Sequence, residues 1–118
     1  MSMMKRIIAA RPCDGPLYDD WTETDFWLKV CEEHGEAGKA FARLRAAERG
    51  EEDKAECMRR WWKLMEECTD TIVALTSFME RCGCNEDTRQ RLMSYVNNHN
   101  SRRDDGRRFR KTGDDQDD

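Results

Sequence analysis

Glu33 and Glu36 stand three residues apart, and so do Glu67 and Asp70. On a helix that spacing makes the two acids of each pair neighbours on one face. Carboxylates gathered in this way repel, and an acid held near a core costs free energy unless it is paired, protonated or bound to a cation. Mg²⁺ or Mn²⁺ resolves the conflict, because hard cations prefer carboxylate oxygen and Mg²⁺ is usually shared among a few carboxylates, water and substrate phosphates. The partner implied is a metal-chelated phosphate compound. The ordinary reading stands beside it: in a chain with 25 acids, pairing of Glu32, Glu33, Glu36, Glu66 and Glu67 with Lys29, Lys39, Arg43 and Lys63 along helix surfaces would account for the same spacing.

Two long helices are needed to bring these acids together. Trp21-Thr22-Glu23-Thr24-Asp25 carries a Thr N-cap with an acid three residues on, so a helix starts there. Phe26, Val30, Ala37, Phe41 and Leu44 then form its apolar stripe, and Glu33 falls on the same side. Gly35 and Gly38 interrupt the helix propensity without breaking the period, which leaves a close neighbour or simply tolerated glycines as their explanation. After a break at Gly50, Glu51 to Arg81 carries Met58, Trp61, Met65, Cys68, Ile72, Leu75 and Met79 along one side. Val73 and Phe78 add apolar surface away from that stripe, so burial on two sides is expected, the second against another subunit. Cys82-Gly83-Cys84 ends this helix, and Asn85 caps a third from Glu86 to about Asn98. Antiparallel packing through the turn at Gly50 would bring the two acidic pairs together across a groove.

The rest of the chain bounds the reading. With 118 residues the length is that of one domain, and the fold class expected is all-α, a bundle of long antiparallel helices completed by oligomerisation. Residues 1–20 read as a non-helical arm or strap, residues 21–100 as the helical domain, and residues 101–118 as a mobile charged tail with six basic and six acidic side chains. A net charge of −4 argues against a general nucleic-acid binder. No apolar run is long enough to span a membrane. Six cysteines lack the spacing of a structural zinc site and are expected to act as small buried hydrophobes in a reducing cytoplasm.

Glu32-Glu33-His34-Gly35-Glu36 followed by Glu66-Glu67-Cys68-Thr69-Asp70 resembles the all-α nucleoside triphosphate pyrophosphohydrolase superfamily, in particular its MazG-like branch. The pattern there is Glu-Glu-x-x-Glu on one helix and Glu-x-x-Asp on the next. His99-Asn100-Ser101-Arg102-Arg103 is similar to the Lys-Asn-x-x-Arg that follows the later helix, with His99 at the lysine position. A neutral imidazole clamps phosphate less well than an ammonium does. The resemblance runs from about Phe26 to Arg103.

It implies Mg²⁺-dependent cleavage of a nucleoside triphosphate between the α and β phosphates, giving monophosphate and pyrophosphate, by a homodimer or homotetramer. Carried over by position, Glu33, Glu36, Glu67 and Asp70 would be metal ligands and catalytic carboxylates, with Glu32 and Glu66 supporting. Asn100 and Arg103 would meet phosphate together with His99 and, more weakly, Lys39. Trp62 and Tyr95 are aromatic candidates for holding the base, alongside Trp27, His34 and Trp61. Two other functions share the scaffold: a non-catalytic helical interaction module, and a phosphoribosyl-ATP pyrophosphohydrolase-like enzyme.

Overall fold

The structure, a computed structural model, describes residues 10–111. Among these residues all regular structure is helical. Three long helices follow in order, α1 (Glu23–Arg49), α2 (Lys54–Arg81) and α3 (Glu86–Arg102). The chain divides into two compact units, residues 1–83 and residues 84–118, and the boundary falls inside the stretch expected as one domain.

In the first unit α1 and α2 form an antiparallel hairpin. The expected capping box opens α1: Thr22 Oγ1 accepts from the Asp25 N–H at 3.1 Å, and Asp25 Oδ2 accepts from the Thr22 N–H at 2.8 Å. At its other end the Gly50 N–H donates to the Ala46 carbonyl at 2.9 Å, and Glu51 turns the chain through φ 58°. Asp53 then caps α2 by accepting from the Glu56 N–H at 2.8 Å. This cap is why α2 begins at Lys54 and not at Glu51, where apolar periodicity alone puts its start.

The core is narrow. Phe26, Val30, Ala40, Leu44 and Ala47 of α1 and Leu64 and Ala74 of α2 are its buried apolar residues. Alanines at three of these seven positions let the helix backbones approach closely. The expected stripe on α1 is corrected in part, because Phe41 stays 46% exposed while Ala40 is buried. On α2 the departure is larger. Met58, Trp61, Ile72 and Leu75 are all exposed, and Leu64, Glu67, Ala74 and Ser77 face α1 instead. At about 100° per residue the two sets lie roughly a third of a turn apart. Periodicity finds the most apolar face of a helix, and here the hairpin leaves that face uncovered.

Residues 10–21 run back over the hairpin as a strap with a single 3₁₀ turn at Pro16–Tyr18. Two bonds fix it to α2. The Cys13 N–H donates to Ser77 Oγ at 2.8 Å, and Arg81 Nη2 donates to the Tyr18 carbonyl at 2.6 Å. Tyr18, Trp21 and Phe26 pack ring against ring, with centroids 4.8 to 5.7 Å apart. Residues 1–9 of the expected arm lie outside the described residues.

The second unit holds α3, capped by Asn85 Oδ1 accepting from the Thr88 N–H at 3.0 Å. It runs four residues beyond the expected end near Asn98, to Arg102. None of its side chains is buried, and Leu92, Met93, Tyr95 and Val96 are all exposed. After it the chain reverses through Asp104, Asp105 and Gly106, all at positive φ. Residues 112–118 of the expected tail lie outside the described residues.

Candidate metal centre and adjoining pocket

Glu33 and Glu67 each lie 17 residues from Gly50, on opposite arms of the hairpin, so antiparallel packing sets them level with one another. Asp70 is one turn further from the hairpin loop than Glu67, on the side of the strap. Carboxylate oxygens of Glu33, Glu67 and Asp70 all lie within 4.8 Å of one another. Glu67 is 8% exposed and Glu33 half-buried, whereas Asp70 reaches solvent. Glu36 is one turn nearer the loop; it is exposed and sits 3.6 Å from Lys39 Nζ. The group is therefore three carboxylates, with the fourth expected acid engaged elsewhere.

Two lysines balance part of this charge. Lys29 Nζ lies 2.9 Å from Glu33 and 3.0 Å from Glu32, and Lys63 Nζ lies 2.9 Å from Glu67 and 3.4 Å from Glu66. Hydrogen bonding to Glu33 and then Glu32 holds the Lys29 ammonium well above the ordinary lysine range, and Glu67 does the same most strongly for Lys63. Asp70 has no such partner among the described residues. Loss of hydration first, then the charges of Glu33, Glu67 and Glu66, push its carboxyl up from the ordinary aspartate value, against a smaller opposing pull from Lys63. With Glu32 and Glu66 counted, five acids stand against two ammoniums, and Asp70, the one without a lysine partner among the described residues, sits at the solvent-facing edge.

The lysines have a sequence signature that spacing of the acids alone passes over. Trp27, Lys29, Glu32, Glu33 and Glu36 recur, each 34 positions on, as Trp61, Lys63, Glu66, Glu67 and Asp70. The same short run on two antiparallel helices gives the site an approximate two-fold character. The strap breaks it, because it covers only the Asp70 side.

A cavity of about 240 Å³ opens from Glu33 and Asp70 toward the strap. Tyr18, Trp21, Phe26, Val73 and Ala74 make its apolar walls, and Cys13, Ser77 and Lys29 contribute polar atoms. Tyr18, Trp21 and Ser77 are absent from the residues singled out by motif. Trp21 serves sequence reasoning only as the residue before a helix cap, and Ser77 is one hydroxyl in an apolar run.

The remaining expected site residues make other contacts. Trp62 is 64% exposed, its ring edge-on to Trp61. Lys39 is taken up by Glu36. Tyr95, His99, Asn100 and Arg103 belong to the second unit. There the His99 ring stacks on Tyr95 with centroids 6.0 Å apart, and Asn100 Oδ1 accepts from Arg108 at 3.0 Å. Arg103 closes α3, its N–H donating to the Asn100 carbonyl. That unit also has a cavity of about 710 Å³ lined by Ser94, Asn98, Phe109, Arg110 and Lys111, with no carboxylate in its wall among the described residues. None of the six cysteines is buried, so the expectation that most are buried hydrophobes does not hold.

The chain matches no protein family, no curated protein and no solved structure.

Proposed function

We propose that this protein is a Mg²⁺-dependent nucleoside triphosphate pyrophosphohydrolase, cleaving between the α and β phosphates. The observation that carries the proposal is the convergence of Glu33, Glu67 and Asp70 from two helices, beside a cavity with aromatic walls. The donor set suits the ion: all-oxygen, anionic and open to solvent on one side, so water and phosphate oxygens would complete an octahedron. A bound cation would also answer the electrostatic cost seen at Asp70.

In this reading Glu33, Glu67 and Asp70 hold the metal, with Mn²⁺ as a substitute. When bound, the ion would supply neutralisation of charge on the triphosphate and the pyrophosphate leaving group, and a lower pKa for the attacking water. Glu67, buried and held by Lys63, keeps a fixed position on α2. Lys29 lines the cavity as well as pairing with Glu33, so its ammonium is placed to meet a phosphate oxygen. Asp70, the solvent-facing carboxylate of the three, is the one open to the attacking water and so the one to take its proton. Lys39, paired with Glu36, is proposed as an outlying contact to the triphosphate.

The protein acts as a homodimer or homotetramer. Support comes from the exposed apolar side of α2, where Met58, Trp61, Ile72 and Leu75 have no cover within the hairpin. An interaction module without catalysis is the second reading, and the same uncovered face favours it.

Incubation with a panel of nucleoside triphosphates and Mg²⁺, with products resolved chromatographically, separates the two. Pyrophosphate and a monophosphate should appear in equal amounts, and chelation of the metal should stop their release. Release of orthophosphate would place the cleavage elsewhere in the triphosphate. No turnover of any triphosphate would leave the interaction module.

A further inference from the structure

We infer that the strap, residues 13–21, builds the pocket for the nucleobase, with Trp21 as the surface on which the base stacks and Ser77 as the residue that positions the strap. Identification of the occupant as a base rests on the triphosphate reading above; the pocket itself is a feature of the fold.

Its position relative to the carboxylates comes first. Glu33 and Asp70 belong both to the acidic group and to the wall of the 240 Å³ cavity, so a ligand in the cavity has one end beside the proposed metal. The volume is below the roughly 300–1,000 Å³ of pockets that enclose whole drug-sized ligands. A ring fits inside while a triphosphate remains outside, toward the cation. The wall chemistry agrees with a planar ring. Trp21 and Tyr18 offer aromatic surfaces, Val73 and Ala74 offer a flat aliphatic one, and base stacking on such surfaces does not depend on which base is present.

The width of the slot is set by a buried hydroxyl. Ser77 is 4% exposed; its hydroxyl donates to the Val73 carbonyl at 2.8 Å while accepting from the Cys13 N–H at 2.8 Å. These bonds commit its proton and fix the strap's distance from α2, and so the width of the slot. Arg81 fixes the other end through the Tyr18 carbonyl. Tethered at both ends, the strap is a preorganised wall, which lowers the ordering cost of binding. Trp62 and Tyr95, aromatic residues to which sequence alone gave this task, are both exposed and line neither wall of this cavity.

The experiment follows intrinsic tryptophan fluorescence of the full chain, in excess chelator, as free nucleosides without phosphate are added. At least one nucleoside should quench the emission saturably. Trp21→Leu should abolish that quench, and Ser77→Ala should weaken nucleoside binding about 10-fold or more, both with the helical circular dichroism retained. In parallel, kcat and KM are measured on the matching triphosphate and on an abasic deoxyribose triphosphate. Trp21→Leu should raise KM for the base-bearing substrate by about 10- to 100-fold and leave abasic turnover unchanged.

Because chelator removes the metal, quenching without turnover would keep the pocket and refute the enzyme. Turnover without quenching by any nucleoside, or an equal loss on base-bearing and abasic substrates in Trp21→Leu, would overturn the pocket. Saturable quenching that persists in Trp21→Leu would overturn it too, since the base would then sit against another tryptophan.

Discussion

Asp70 is the residue where electrostatics and chemistry meet. Its carboxyl titrates above the ordinary aspartate range because partial loss of hydration and three neighbouring acids penalise the charged form. The sign for stability follows. A raised native pKa means that the folded state holds the proton when the unfolded state has already released it. Stability therefore falls as pH rises from the unfolded toward the folded value, and the penalty is fully present at neutral pH. Asp70→Asn removes the charge, so without metal this variant should melt at a higher temperature than the wild type at pH 7. The difference should vanish at a pH low enough to protonate Asp70 in both states. Turnover should fall by about 100-fold or more, the scale of a lost acid–base group. Thermal melts across pH, alongside rate measurements, check both effects; a lower midpoint at neutral pH would mean that the aspartate stabilises the fold. Spacing made Glu33, Glu67 and Asp70 visible in the sequence. It could not separate Glu36 from them, because the register that puts Glu36 nearer the loop is set by the Asp53 cap and by Ala40 and Ala47 packing against α2.

At the scale of the helix, Gly35 and Gly38 separate propensity from packing. A β-carbon built at either position meets no atom within 4 Å, so the close neighbour considered for them is absent from the hairpin. With open space around a helical backbone, Gly35→Ala and Gly38→Ala should each stabilise the protein by about 0.5–1 kcal/mol, measured as a rise in the denaturant midpoint with unchanged slope. A destabilisation would point to a surface that needs these glycines bare, such as an intersubunit contact. The helices themselves were legible from apolar period and from the local caps Thr22 and Asn85, while the Asp53 cap of α2 was passed over and its start set three residues early. Which face of α2 packs was not. Its apolar residues are spread around more than half the circumference, and the choice of Leu64 and Ala74 over Ile72 and Leu75 depends on fit to α1, which periodicity does not encode.

The whole molecule has more apolar surface than its described contacts cover. Met58, Trp61, Ile72 and Leu75 line α2 in the open, and Leu92, Met93, Tyr95 and Val96 do the same on α3. Burying surface of this kind is worth about 25 cal/mol per Å² before the costs of association. Mass in solution at micromolar concentration should be that of a dimer or tetramer, and Ile72→Glu with Leu75→Glu should shift it toward monomer while the helical content stays. A monomeric wild type would refute the assembly and leave the face for a different partner. The absence of matching proteins puts the weight of the functional reading on the site itself.

That site is tested most directly by electron paramagnetic resonance of Mn²⁺ titrated into the protein with a non-hydrolysable α,β-imido nucleoside triphosphate present. The free-ion signal should fall through saturable binding at the triad, Mg²⁺ should restore it by competition, and Asp70→Asn should abolish or greatly weaken that binding. Equal binding by wild type and Asp70→Asn, or none by either, would contradict a metal centre built from Glu33, Glu67 and Asp70.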